Sequence, residues 1–229
     1  KSVSTAGDVN ADGFDDLMIG TRGTTSYIIF GKASGFDTVM NISSLTGSNG
    51  FRLDGAISTN FPEVSLSSAG DVNGDGFDDV VISVNDRCYV VFGKASGFDA
   101  NLNLSNLDGN NGFRMDGVEQ ANFTPASVNT AGDVNGDGFD DLIIGAGAGR
   151  GADGAFNVGA SYILFGKASN FDAVMNVSSI DGSNGFHLLS GNGLHLLGIN
   201  DVTNAGDVNG DGFDDLIIGA YGTDLNGAS

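Results

Sequence analysis

The sequence predicts an all-β protein built from four-stranded units of the kind that form the blades of a β-propeller. The composition, with 38 Gly, 2 Pro and no Trp in 229 residues, suits short strands and turns, because a glycine inside a helix costs about 1 kcal/mol. A segment of roughly sixty residues also recurs along the chain, and each copy contains several runs of strand length. A stacked β-solenoid is the alternative fold, since it too is built from repeats.

The repeat is clearest in an acidic segment that begins Ala-Gly-Asp. The first aspartates of its copies are 63, 62 and 74 residues apart, at Asp8, Asp71, Asp133 and Asp207. The longer third spacing comes mainly from a Gly-rich insertion at 145–159, which we expect to form a long surface hairpin loop. Because loops often carry function, this insertion is the best candidate for a feature specific to this protein.

We therefore predict a single repeat domain over residues 1–229, forming part of a larger propeller or assembly. Its units lie at about 1–63, 64–125 and 126–199, with a partial fourth at 200–229. In each unit one predicted strand leads into the acidic segment, an apolar run leaves it, and a Tyr-to-Phe strand follows. The fourth strand, as in residues 51–54, alternates apolar and polar side chains.

The charge of the chain excludes one class of partner. The formal net charge is −20, from 29 acidic and 9 basic residues, so the basic surface that nucleic-acid binding needs is missing. No apolar run approaches the length of a membrane-spanning helix, and we expect no membrane insertion. Cys88 is the only cysteine, which rules out an intrachain disulfide and favours bound metal as the stabilising element.

The acidic segments predict calcium sites. They contain 16 of the 29 acidic residues in the pattern Asp-x-Asn-x-Asp-Gly-Phe-Asp-Asp, and such crowding of like charge is costly unless a cation neutralises it. Alternating oxygen ligands on a tight loop suit Ca²⁺ better than zinc, copper or Mg²⁺. We expect about four ions, one per loop. The predicted ligands are the side chains at loop positions 1, 3, 5 and 9 and the backbone carbonyl at position 7: Asp8, Asn10, Asp12, Phe14, Asp16, Asp71, Asn73, Asp75, Phe77, Asp79, Asp133, Asn135, Asp137, Phe139, Asp141, Asp207, Asn209, Asp211, Phe213 and Asp215.

Two further expectations concern the same loops. The glycine at position 6, as in Gly76, permits the sharp turn, whereas the aspartate at position 8, as in Asp78, should face outward without ligating the ion directly. An EF-hand is excluded, because position 12 is Ile rather than Glu in all four copies, as at Ile82, and the flanking segments are β-like.

The calcium loops and the Phe-Gly pairs at 30–31, 92–93 and 165–166 resemble the FG-GAP repeat family, found in the integrin α-subunit head and in many bacterial surface proteins. The Gly-Ala-Pro element matches poorly, as Gly20-Thr21 illustrates. The resemblance implies a propeller of about seven blades with calcium between the first two strands of a blade. It also implies an extracellular or cell-surface location, in a secreted bacterial protein, and a role in adhesion, protein recognition or surface scaffolding toward a protein or glycan ligand.

Two other functions remain open at this point. A calcium-dependent glycan- or ester-cleaving enzyme would need a site specific to one unit, and His187 and His195, near Asp201, are the candidates. No spacing of base and nucleophile is visible around them, so we expect no catalytic residues. The third hypothesis is a structural surface-layer or filament subunit that self-assembles through open blade edges.

Overall fold

The computed structural model describes residues 2–21, 25–55, 64–84, 87–117, 125–150, 156–168, 171–189 and 196–221. Within these ranges the regular structure is β-strand, apart from short 3-10 turns at Ile42–Ser44, Leu104–Asn106 and Val177–Ser179. No helix in the described part of the chain is long and apolar enough to cross a membrane. The strands are β1 (Ser2–Gly7), β2 (Asp16–Gly20), β3 (Ser26–Ile29), β4 (Gly50–Asp54), β5 (Val64–Gly70), β6 (Asp79–Val84), β7 (Arg87–Val91), β8 (Asn101–Asn103), β9 (Gly112–Asp116), β10 (Pro125–Gly132), β11 (Asp141–Arg150), β12 (Phe156–Leu164), β13 (Val174–Asn176), β14 (Gly185–Leu189), β15 (Leu196–Gly206) and β16 (Asp215–Tyr221).

The described strands form four sheets, one around each acidic segment. In the first three units four antiparallel strands make the body of the sheet, in the orders β1-β2-β3-β4, β5-β6-β7-β9 and β10-β11-β12-β14. The described part of the fourth unit contributes the pair β15-β16. These antiparallel meanders confirm the predicted all-β blades and differ from the stacked coils of a solenoid.

Two sheets also contain a fifth strand that the sequence reasoning missed. The short strand β8 belongs to the second unit, but it pairs in parallel with β4 of the first, with Leu102 opposite Leu53. In the same way β13 of the third unit pairs with β9 of the second, with Met175 opposite Met115. The first and second blades are therefore each completed by a strand of the next unit. Strands of three residues are too short to produce a recognisable alternation in sequence.

Aromatic side chains lie just before the two added strands, β8 and β13, in sequence. Phe98, just before β8, lies flat against Phe51 of β4, with ring centroids 4.6 Å apart and an interplanar angle of 8°. Phe171 stacks on Phe113 in the next blade at 4.8 Å and 4°. Such stacked pairs add about 0.5–1.5 kcal/mol beyond the apolar area they bury. The recurring Phe residues therefore join consecutive blades.

The hydrophobic core lies between the sheets rather than within any one of them. Met18 and Ile28 of the first blade pack in one buried cluster with Val80 and Ile82 of the second. Two further clusters join the second blade to the third and the third to the fourth. The second and third blades thus bury both of their faces against neighbours, which explains why the run Val80–Ile82 is apolar throughout.

The insertion at 145–159 lengthens a hairpin, as expected. It continues β11 and β12, so that Gly149 lies opposite Val158 and Arg150 opposite Phe156. The register shifts between Ala146 and Gly149, which marks a bulge at the base of the extension. The hairpin tip, 151–155, falls outside the described residues.

Candidate metal centres

Each acidic loop connects the first two strands of its sheet. The loops follow β1, β5, β10 and β15, and each ends where the next strand begins, at Asp16, Asp79, Asp141 or Asp215. Because the four sheets share one topology in this region, the loops lie at equivalent positions. This placement agrees with the expectation from the family resemblance.

The backbone amides of the second loop donate hydrogen bonds to side chains of the same loop. Asp71 accepts hydrogen bonds from the amides of Asp75 (3.0 Å) and Gly76 (2.8 Å) through its two side-chain oxygens. Asn73 Oδ1 also accepts from the amide of Asp75 (2.9 Å), and Asp75 Oδ1 accepts from that of Phe77 (3.1 Å). Gly76 has a φ of +89°, so the sharp turn predicted at position 6 is present. The same bonds recur in the other three loops.

The aspartate at position 9 is buried and links separate segments of its blade by hydrogen bonds. Asp79 is fully buried, and its two oxygens accept hydrogen bonds from the amides of Val72 (3.1 Å) and Gly93 (2.8 Å). It therefore connects the loop, the start of β6 and the end of β7. Asp16 and Asp141 make the equivalent pairs of bonds in their own blades.

Burial sets the proton affinity of these inner carboxyls. It raises the pKa of Asp79 to about 8, against the lowering effect of the Gly93 and Val72 amides, and the negative charges of Asp75 and Asp71 raise it further. The same causes, with burial the largest, raise the pKa of Asp141 to about 7 and that of Asp16 to about 6. A cation beside the loop would favour the ionised form and lower these values.

The loop residues fit a hard cation by their chemistry. Among the described residues, no three Asp, Glu, His or Cys side chains converge into a preformed metal cluster. The loop oxygens instead accept bonds from loop amides, and an ionised carboxylate has about four lone-pair sites, so that acceptor capacity remains. The donors are oxygens only and include four side chains on each nine-residue loop, a set typical of Ca²⁺ ligation.

The aspartate at position 8 does not face outward in the blades that have a predecessor, and that expectation was wrong. Asp78 Oδ2 accepts a hydrogen bond from the amide of Asp8 in the preceding blade (2.7 Å). Asp140 Oδ2 accepts one from the amide of Asp71 (2.8 Å). Asp214 accepts from the amide of Asp133 (3.0 Å). Spacing along the sequence could not reveal this role, because the partner lies about seventy residues away.

The sequence profile of the FG-GAP repeat matches residues 64–87, 125–164 and 201–229. These segments contain the first two strands and the acidic loop of the second, third and fourth units. The chain therefore contains FG-GAP repeats in these three segments. A stretch of 154 residues, 66% of this chain, is also 32% identical to Integrin alpha-PS2 of Drosophila melanogaster and covers 10% of that protein. The chain thus spans about a tenth of the length of this relative.

The Phe-Gly pair at 92–93 has a clear structural role in the second blade. Phe92 is buried against Phe113 and Phe171, while the amide of Gly93 donates to Asp79. A Cβ at position 93 would lie 2.5 Å from the carbonyl oxygen of Asp78 and 2.8 Å from that of Val9 in the preceding blade. Glycine is therefore required where the loop, its own blade and the preceding blade meet.

Of the two histidines considered as catalytic candidates, His187 falls within the described residues. His187 lies on β14 opposite Tyr162, with the two ring centroids 6.1 Å apart. His195 falls outside the described residues. Asp201 belongs to β15, and only its backbone is described.

Proposed function

We propose that this chain is a calcium-stabilised FG-GAP module of an extracellular or cell-surface protein that recognises a protein or glycan ligand. The observation that carries the proposal is the repetition of one oxygen-rich loop in the same register at all four blades. Four loops with identical donor types at identical positions favour a shared ligand over the alternative of simple polar turns.

Calcium in each loop would stabilise the contact between two adjacent blades as well as the loop itself. In the second loop, Asp71, Asn73, Asp75 and Asp79 would supply side-chain oxygens and Phe77 its carbonyl. Asp71 is also the residue whose amide is held by Asp140 of the next blade. Neutralising the loop therefore reduces repulsion among its acids and, at the same time, fixes the backbone to which the neighbour binds.

The adhesion or recognition role rests on the similarity to an integrin α chain and to FG-GAP repeats. A secreted bacterial origin remains an expectation from the sequence resemblance. The extended hairpin of β11 and β12 is the proposed ligand-contacting element, because it is much longer than the equivalent connections of the first two units at 21–25 and 85–86. We propose no catalytic function, since the contact of His187 with Tyr162 gives no support to a hydrolytic site.

Calorimetric titration of calcium-stripped protein with CaCl₂ tests the metal proposal. We expect about four ions per chain and a melting temperature that rises with free calcium, because the ion binds the folded form. Mg²⁺ at the same concentration serves as the control and should stabilise less. A melting temperature that is the same in excess calcium and in chelator would refute the proposal.

The recognition proposal needs a separate test. Replacing residues 147–159 with the two-residue connection found at 85–86 would remove the extended hairpin while keeping the blade. Binding of both proteins to an array of matrix proteins and glycans in calcium should show ligands that are captured by the parent chain and lost in the variant. Identical binding patterns would exclude the hairpin as the contact element.

A further inference from the structure

The second and third acidic loops touch each other through residues that carry or flank their proposed calcium ligands. The amide of Asp71 donates to Asp140 Oδ2 (2.8 Å), and the amide of Asp140 donates in return to the carbonyl of Asp71 (3.2 Å). Asp71 is the proposed first ligand of the second loop. Asp140 lies between Phe139 and Asp141, two proposed ligands of the third. This pair of hydrogen bonds therefore links the backbone segments that would hold two different ions.

The ring of Phe139 makes a second link between the same two loops. A Cβ at Gly74 would lie 2.3 Å from Cε1 of that ring, so the ring lies directly against the backbone of the second loop. Gly74 has a φ of +72° and separates the proposed ligands Asn73 and Asp75. A change of conformation at this turn would therefore displace the ring. Phe139 would thus supply a carbonyl to its own loop and contact the turn that carries two ligands of the preceding loop.

The same contacts recur between the other neighbouring loops. Asp78 Oδ2 accepts from the amide of Asp8 (2.7 Å) and Asp214 Oδ2 from that of Asp133 (3.0 Å), with return bonds of 3.3 and 3.1 Å. The aromatic ring of the fourth loop likewise lies against the third, because a Cβ at Gly136 would lie 2.4 Å from it. The four loops therefore form one series in which these contacts join ligand-bearing segments.

Calcium binding would change how firmly these contacts are held. Without a cation, the three proposed carboxylate ligands of a loop repel one another, and residues 74–76 of the second loop are exposed to solvent. An ion would hold positions 1, 3 and 5 together and so fix the groups that Asp140 and Phe139 contact. Ordering a segment costs conformational entropy, and a second ion that binds beside an already ordered neighbour loses less of it.

We propose that calcium binding to adjacent loops is positively cooperative, and that the aspartate at position 8 and the ring at position 7 transmit the coupling. This inference rests on the proposed calcium sites and adds their regulation to them. Because coupling between two sites is reciprocal, an ion in the second loop should raise the affinity of the third by the same factor as the reverse. The contacts between blades would then tighten together over a narrow range of free calcium.

Electrostatic repulsion between ions in neighbouring loops acts in the opposite sense. Divalent cations repel each other, but salt screens exposed charges over about 8 Å at 0.15 M ionic strength. Ring packing between the loops is not weakened by this screening. The sign of the coupling therefore distinguishes the two effects, since the contacts make the neighbouring loop bind calcium more tightly and repulsion makes it bind less tightly.

Hydrogen exchange of the backbone amides, followed by mass spectrometry at increasing free calcium and about 150 mM salt, gives a separate calcium midpoint for each loop. Asp75→Ala removes a proposed ligand of the second loop. In that variant the midpoints of the loops at 8–16 and 133–141 should rise by about fivefold or more. The loop at 207–215 contacts the third loop and should shift less. Asp99→Ala removes an exposed acid outside the loops and should shift none of them.

The reciprocal variant is Asp137→Ala, which removes the equivalent ligand of the third loop. It should raise the midpoint of the loop at 71–79 by the factor that Asp75→Ala produces at 133–141. Far-UV circular dichroism checks that both variants are folded, and measuring the effect in both directions separates coupling from damage to one blade.

A double-mutant cycle assigns the coupling to the contact. Asp140→Ala removes the acceptor of the Asp71 amide and leaves the proposed ligands of both loops in place. In this background, Asp75→Ala should shift the midpoint at 133–141 at most about half as much on a logarithmic scale. An undiminished shift would overturn the role of Asp140.

Two further outcomes separate this inference from the calcium proposal itself. Unchanged or lower midpoints at 8–16 and 133–141 in Asp75→Ala would overturn the cooperativity while leaving the calcium sites in place. A parent chain whose loops exchange identically with and without calcium would overturn the proposed metal sites, and the cooperativity with them.

Discussion

The carboxylate of Asp78 accepts a hydrogen bond from the amide of Asp8 at 2.7 Å, although 70 residues separate the two in sequence. The amide of Asp78 donates in return to the carbonyl of Asp8. A Cβ at Gly7 would lie 2.2 Å from Asp78 Oδ2, so the glycine before each of the first three acidic loops leaves room for the following blade. The acidic loops therefore act as joints between blades as well as candidate metal sites.

The contact between Asp78 and Asp8 predicts that equivalent aspartates contribute unequally to the free energy of unfolding. Asp78→Ala should lower the free energy of unfolding by about 1–3 kcal/mol, because the partly buried amide of Asp8 loses its acceptor. Asp15→Ala, the same substitution in the first unit, should change it by less than about 0.5 kcal/mol, since Asp15 is exposed. Urea denaturation of both variants at micromolar protein concentration measures the difference. Equal effects would contradict the assignment of position 8 to the joint.

The Phe residues that precede β8 and β13 predict a second difference in stability between units. Phe171→Ala should destabilise the chain by about 3–5 kcal/mol, because it empties a buried site stacked on Phe113. Its counterpart in the first unit, Phe36, is 59% exposed, and Phe36→Ala should cost less than about 0.5 kcal/mol. Thermal unfolding in calcium gives both values. A large loss for Phe36→Ala would show that Phe36 is buried in a contact of its own.

Position 4 of the first loop predicts a stabilising substitution. Ala11 has a φ of +52°, where the other loops have glycine. Ala11→Gly should therefore increase the free energy of unfolding by about 1 kcal/mol, because a left-handed backbone is costly for alanine. Gly74→Ala is the reverse control and should destabilise, since its Cβ would lie 2.3 Å from the Phe139 ring as well. Chemical denaturation that ranks the two variants the other way would refute this explanation.

The inner carboxyls predict the pH dependence of the calcium-free protein. Burial raises the pKa of Asp79 from 3.8 to about 8, so the folded chain holds more protons than the unfolded chain between these values. Stability must then fall as pH rises through this interval. The urea midpoint of calcium-stripped protein should decrease between about pH 5 and 8, while the stabilisation gained from calcium should increase. A midpoint that rises with pH without calcium would contradict the burial of these carboxyls.

The proposed ligands predict a change in ion number. Asp75 is exposed and contributes its carboxylate only to the second loop. Asp75→Ala should therefore lower the calcium count from about four to about three without unfolding the chain. Asp99→Ala removes an exposed acid outside the loops and should leave the count unchanged. Calorimetric titration distinguishes the two, and an unchanged count for Asp75→Ala would exclude this residue as an essential ligand.

Local sequence determined the antiparallel strands and the turn at each acidic loop. This was predictable because these features depend on spacing within about a dozen residues: alternation at Phe51 and Leu53, the apolar run at Val80–Ile82, and the glycine at position 6. The oxygen ligands that each loop offers to a cation could be predicted for the same reason, since Asp71, Asn73 and Asp75 lie on one short turn.

Only the tertiary structure decided how the units join. The bond from Asp8 to Asp78, the stacking of Phe98 on Phe51 and the addition of β8 to β4 all link residues about fifty to seventy positions apart. Whether a polar residue such as Asp78 faces solvent or a neighbouring amide depends on the packing of whole sheets, which leaves no periodic signal in the sequence. The exposed ends at Val3 and Ile217 follow from that packing, because a repeated joint buries every copy of these positions except the first and the last.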